Sequence, residues 1–525
     1  MGVESMLSKK ARFTFATAIF GSMIAMTGCT GGNQSASTEN SAQKPAASTP
    51  AGKKVINISL KADPPSLDPS QSNALVDRQV QNSIYDKLFD LDKDGKIVPV
   101  LVESYGVSPD GKVYTLKLKQ GIKFHDGTEF NANAVKFNIE RDKADNSRRK
   151  NEMNFVQKVD AVDPQTVKIE LSEPFSPFIS ILTDRSGMMV SPDAVKKYGD
   201  DYLNHPVGTG AYVFVEHVNG DHVTLKKNDN YWNGKVKIDE LNYKVFTNGT
   251  AAVQNLKSGQ LDFVDEVPTK EIKGLDNNPN AKVVAESGMA YQGFYLNTKQ
   301  EPFTNKYLRQ AVNVAVDREA FIKVVLDGYG APANSPFAPG NLAYGDSDKV
   351  SKPNKQEIKA LLDKGGKPNG FSFKFQIGTS PVNEQFGAVI QNMLKPYGIK
   401  VELEKVEFGT MLENGANHKF QALQLGWSGR PDPDQSFFDF VVTGQPNNYS
   451  AVSNPELDKL AKQARIELDP KKRKALYDQA MEIVHDESEY VHIYHDFNRF
   501  GVSKKVTGFE YVPDGIIHTQ KLDKQ

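Results

Sequence analysis

The chain is 525 residues long, and 64 Lys and Arg against 65 Asp and Glu leave a formal net charge of −1. That balance provides no global field for nucleic acid or an acidic membrane face. A single cysteine, Cys29, excludes a disulfide within the monomer and any cysteine-based metal site.

In chain order, the basic residues Lys9, Lys10 and Arg12, an apolar run and small residues up to Cys29 have the layout of an export signal, residues 1–28. The run 13–26 is short and interrupted by Thr and Ser, and no later segment approaches eighteen uncharged apolar residues. Met26-Thr27-Gly28-Cys29 resembles the bacterial lipobox, which implies acylation of Cys29 and a lipid anchor of more than one chain. Residues 29–54 hold almost no large apolar side chain and read as a flexible tether. The remainder, roughly 470 residues, is long enough for two or three domains.

Within it, VINISL (55–60) and VYTLKLK (113–119) alternate apolar and polar residues as half-buried strands do, with hairpin chemistry in the DGK of 110–112. Residues 383–398 read as a helix closed by Pro396 and Gly398, followed by a strand with Ile399, Val401 and Leu403 on one face. Asn454 before Pro455 and Asp469 before Pro470 predict two capped helix starts, the second helix burying Leu476, Ala480, Ile483 and Val484. Hairpins mixed with crossover units place the chain in the α/β class with mixed sheets.

No motif demands catalysis. GWSGR (426–430) has Arg430 where a nucleophile elbow needs its final glycine. His492 and His495 lie three apart on a predicted strand, on opposite faces, and read as half-exposed rather than metal-binding. DLDKDGK (90–96) lacks the closing Glu of a calcium loop, since the twelfth position from Asp90 is Leu101, and reads as a hairpin turn. Two close glycines at 208 and 210 make no phosphate loop. The expectation is a protein without catalytic residues, metal or cofactor.

Several stretches together resemble the solute-binding proteins of peptide-type ABC importers, extracellular family 5. They are LDPS (67–70), IYDKLFDLD (84–92), VSPDGKVYTLKLKQGIKFHDGTEFNANAVKFNIER (107–141), HPVGTGAYVF (205–214), NDNYWNGK (228–235), YLNTKQEPFTNKYLRQAVNVAVDREAFI (295–322) and the Trp427 loop. They run in the family's order from about residue 55 to the end. EFNANAVK, EPFSPFISIL and TGFEYVPDG look most like the glutathione-binding members. The resemblance implies a two-lobed, periplasmic-binding-protein-like clam with an additional third domain. Lobe I would comprise 55–85, 207–297 and 497–525, the additional domain 86–206 and lobe II 298–496. It further implies a small peptide or glutathione-like ligand, permease subunits as partners, a monomer, and a place at the outer face of the cell membrane or in the periplasm.

GWSGRPDPD (426–434) follows the predicted strand 419–425. Loops at the carboxyl ends of strands face the crevice of such folds, so Trp427 and Arg430 are expected at the ligand, the guanidinium gripping a carboxylate. Dipeptide binders of the family carry Asp where this chain has Arg430, and a basic residue where this chain has TSPVN (379–383). The departure implies either a ligand that is turned around or one with more negative charge than a plain dipeptide; glutathione fits the second, with Asp432 or Asp434 taking its amine, and the competing reading pairs Arg430 with Asp432 or Asp434 inside the loop. Further candidates are Ser66, Ser72, Asn73, Tyr291, Phe294, Asn448 and Tyr449. Alternative functions are a nickel-chelate or haem carrier, a peptide-signal receptor and a lipid-anchored hydrolase.

Overall fold

The computed structural model describes residues 52–525. The export segment, Cys29 and most of the predicted tether lie outside the described residues.

Two long strands, Ala281–Leu296 and Tyr490–Ser503, pair antiparallel and form the spine of the largest sheet. To one side of them follow Phe263–Val264, Val55–Leu60, Glu240–Val245, His222–Lys227 and Tyr212–Val218; to the other, Ala422–Gln424, Ser372–Ile377 and Lys400–Lys405. Parallel pairs occur in both halves, Val55–Leu60 with Glu240–Val245 and Ser372–Ile377 with Lys400–Lys405. A separate antiparallel sheet of four strands lies between residues 102 and 171.

Each region buries its own apolar set. Ile56, Ile58, Tyr212 and Tyr243 anchor one core, Phe294, Phe321 and Phe375 a second, and Leu116, Val135 and Ile169 a third. Strand context decides how far the sequence alternation survives. Tyr114, Leu116 and Leu118 point inward from an antiparallel sheet with one wet face. Val55–Leu60, flanked by neighbours on both edges, ends with Ile58, Ser59 and Leu60 all buried.

Both capped helix starts form as the sequence predicts. Asn454 accepts from the backbone N–H of Glu456 and Leu457, and Asp469 from those of Lys471 and Lys472, ahead of Pro455–Ile466 and Pro470–Glu487. The buried face of the second helix is rotated from the expected one: Arg473, Tyr477, Ala480, Met481 and Val484 are buried, while Leu476 and Ile483 are only partly covered. The cause is Asp432, which draws Arg473 inward. His492 and His495 are also corrected, being 6 % and 0 % exposed rather than half-exposed, because their strand is the sheet's spine and is covered on both faces.

Candidate functional site

The spine is irregular at one place. Between Ser287 and Tyr291 the strand Ala281–Leu296 carries residues that have no partner on the strand Tyr490–Ser503, and a second shift follows between Gln292 and Gly293. Such bulges re-aim side chains and recur beside binding sites. Here Met289, Ala290 and Gln292 form part of the floor of a cavity of about 640 Å³.

The Trp427 segment lies directly on this bulge. Trp427 and Tyr291 exchange backbone hydrogen bonds of 3.0 Å in both directions. The two glycines of GWSG make the approach possible. A Cβ on Gly426 would lie 2.1 Å from the Gln292 side-chain oxygen, and one on Gly429 would lie 2.0 Å from the Met289 carbonyl oxygen. Gly429 also holds φ +70°, which an L side chain resists.

Residues from both halves of the sheet wall the cavity. Trp427, Ser428, Tyr295, Phe440 and Tyr449 stand on one side; Lys61, Arg78, Phe500 and Asp514 stand on the other. Acidic residues gather with Asp265, Glu266 and Asp496, where Lys61 pairs with Glu266 at 2.8 Å and Arg499 with Asp496 at 2.7 Å. Burial raises the Asp265 carboxyl to about 6, against the hydrogen bond from Ser59. Arg78 and Trp427 occupy other parts of the wall, and the Arg78 guanidinium brings hydrogen-bond donors to it.

Behind Arg78 lies Asp184, 12 % exposed at its side chain. Arg78 Nε is 3.1 Å from one of its oxygens, Arg185 Nη1 3.5 Å from the same one, and Arg430 Nε 3.6 Å from the other. Burial pushes the Asp184 carboxyl up, but Arg78, then Arg185 and Arg430, hold it well below the usual carboxylate range. Burial likewise lowers the Arg430 guanidinium from its ordinary value, with Asp184 offsetting part of the shift.

Of the residues expected from the sequence, Trp427 and Tyr449 line the cavity. Arg430 stacks over the Trp427 ring at 4.9 Å and faces a smaller neighbouring hollow with Met289, Pro431 and Pro513. Its hydrogen bonds go to Ser428 and the Gly429 carbonyl, and its ion pair is with Asp184, so the pair with Asp432 or Asp434 inside the loop does not form. Those two carboxylates are fully committed: Asp432 receives two bonds of 2.6 Å from Arg473, and Asp434 bonds of 2.9 and 2.8 Å from Arg465. They are buried and absent from the cavity wall, which corrects the expectation that either takes a ligand amine.

Phe294 is fully buried against Phe375 and belongs to a core. Tyr291 is 2 % exposed and faces a small enclosed hollow behind the crevice. Asn448 donates to the carbonyls of Val442 and Val452, a loop-bracing role; its neighbour Asn447 lines the cavity instead. Ser72 accepts from Arg185 Nε at 2.7 Å and Asn73 from Arg149 Nη2, so both brace the arginine cluster, while Ser66 bonds within its own turn. Sequence reasoning missed Arg78, Met289, Tyr295 and Asp496. Arg78 lies on the helix Leu75–Ile84, and only the fold brings it to Asp184.

Residues 96–449 match the family model described as bacterial extracellular solute-binding proteins, family 5 Middle. The chain belongs to that family. The glutathione-binding protein GsiB of Escherichia coli O6:K15:H31 (strain 536 / UPEC) is 34% identical over 489 residues, covering 90% of this chain and 95% of that one. Among solved structures, HbpA2 of Haemophilus parasuis superposes with a TM-score of 0.80 at 26% identity, over 90% of this chain and all of that one. The ABC transporter-associated periplasmic binding protein DppA of Helicobacter pylori, in complex with the peptide STSA, gives 0.77 at 25% identity, over 90% and 98%. The chain is thus a solute-binding protein and not an enzyme. Among the described residues no helix is long and apolar enough to cross a membrane.

Proposed function

We propose that this chain is the substrate-binding lipoprotein of an ABC importer, which captures small peptides, glutathione-like and anionic ones preferred, and delivers them to a membrane permease. The observation that carries the reading is the crevice itself. Its volume of about 640 Å³ lies within the range of small-molecule sites. Aromatic side chains on one wall, a basic residue at Arg78 and the acidic group Asp265, Glu266 and Asp496 match a zwitterion with an apolar or amide body. Similarity to GsiB over nearly the whole chain supports a glutathione-like member of that ligand class, and the DppA complex supports a peptide.

The chain acts as a monomer held at the outer face of the membrane through acylated Cys29, so Cys29→Ala releases it without altering the folded domain. Thermal-shift titration of residues 53–525 against reduced and oxidised glutathione and peptides of two to five residues tests the ligand class. A ligand at a hundred times its Kd adds about 2.7 kcal/mol to stability. A flat response across the whole panel overturns the reading.

A further inference from the structure

The crevice borders an arginine cluster. Arg78, on the helix Leu75–Ile84, lines the crevice with its side chain 14 % exposed. Trp427 lines it from the opposite wall with its ring, while its Nε1 is closed off from solvent.

The two side chains are tied to one support. Arg430 stacks on Trp427 and reaches Asp184; Arg78 reaches the other oxygen of the same carboxylate. Asp184 therefore serves three guanidinium groups, those of Arg78, Arg185 and Arg430. The nearby acids do not cancel the excess. Glu152 is taken up by Arg149 and Ser186, and Asp514 by His518. Asp77 accepts from the neutral backbone N–H groups of Ser66 and Ala74 and stays a second acid of the cluster, facing Arg185. Two carboxylates, Asp184 and Asp77, against three guanidiniums still leave positive charge beside the crevice, and Arg78 is the member of the three that reaches its wall.

We infer that Arg78, held in place by Asp184, is the residue that receives a ligand carboxylate. The inference rests on the proposed function and narrows it. The ligand presents a carboxylate to the Leu75–Ile84 helix and turns its ammonium toward Asp265, Glu266 and Asp496. Arg430 is a positioning residue that acts through Trp427 and Asp184.

Isothermal titration of residues 53–525 with reduced glutathione, with glutathione amidated at its glycine or its glutamate carboxyl, and with the dipeptide Met-Leu and its C-terminal amide tests this. In the unsubstituted protein at least one acid binds, and an amide of it binds at least about 30-fold more weakly, the lower bound for losing one partner of a buried charge pair. In Arg78→Gln the acid weakens to the level of that amide, and the acid–amide difference vanishes. Arg78→Lys recovers part of the loss, because an ammonium retains the charge without the planar fork. Equal binding of acid and amide by the unsubstituted protein, or an acid–amide difference that survives in Arg78→Gln, overturns the role of Arg78 while leaving the proposed function intact. Binding of none of the acids overturns the proposed function itself. Should Arg78→Gln fold poorly, Arg78→Met supplies the second variant: it keeps most of the side chain's length, removes the charge and is expected to abolish the same acid–amide difference, which an unchanged difference contradicts.

Discussion

The nine residues from Gly426 to Asp434 divide into two parts with opposite work. Trp427 and Ser428 face the crevice, whereas Asp432 and Asp434, a few residues on, are buried and locked to Arg473 and Arg465. Arg430 stands at the boundary, over the indole on one side and toward Asp184 on the other. The difference teaches that charge in a loop is no guide to ligand contact. What separates the parts is the partner each side chain finds: a carboxylate with a two-pronged arginine contact has nothing left for a solute, whereas the Trp427 ring lines the crevice.

The largest effect is expected at the scaffold part. Asp432→Ala leaves Arg473 buried with no carboxylate, a change that costs about 3–5 kcal/mol of folding stability. Chemical denaturation should show this loss, and the ligand-induced stabilisation should persist in the fraction that folds. Loss of ligand response at normal stability would erase the division.

Glu489 sharpens the comparison from another side, being a buried carboxyl with no arginine fork. It is 2 % exposed, Oε2 has no partner, and burial raises it to about 8 despite the nearby Arg309. The native state keeps this proton up to about pH 8, while the unfolded chain releases it near the ordinary value of about 4.3. Its contribution to stability is therefore fully present below about pH 4.3 and is lost as pH rises through 8. Glu489→Gln should flatten the fall in melting temperature between pH 5 and 8. An unchanged slope would mean that Glu489 is ionised in the native state.

The smallest effect is expected at the boundary. Arg430→Ala removes a stack of about 0.5–1 kcal/mol and one of three guanidiniums around Asp184, leaving Arg78 and Arg185 in place. Ligand affinity should fall by less than about tenfold. A loss as large as that of Arg78→Gln would return Arg430 to direct contact with the ligand.

Local chemistry was legible in the sequence. The caps at Asn454 and Asp469 act within three residues of themselves, and both form as read. Trp427 was legible as a wall residue because a loop leaving the strand Ala422–Gln424 ends at the crevice. Partners distant in the chain were not legible. Nothing near Asp432 points to Arg473, and nothing in the helix around Arg78 points to Asp184. Phe294 was misplaced because an aromatic on the spine strand can face either the crevice or the core, and the bulge at residues 288–290 alters which one it faces.

The most direct test of the division is isothermal titration of reduced glutathione and of Met-Leu into three proteins: residues 53–525 unsubstituted, with Trp427→Ala, and with Asp432→Asn. The account predicts binding of at least one probe by the unsubstituted protein, loss of at least about 2 kcal/mol of that affinity in Trp427→Ala, and near-unchanged affinity in the folded, less stable Asp432→Asn. Full affinity in Trp427→Ala together with lost binding in folded Asp432→Asn would contradict it.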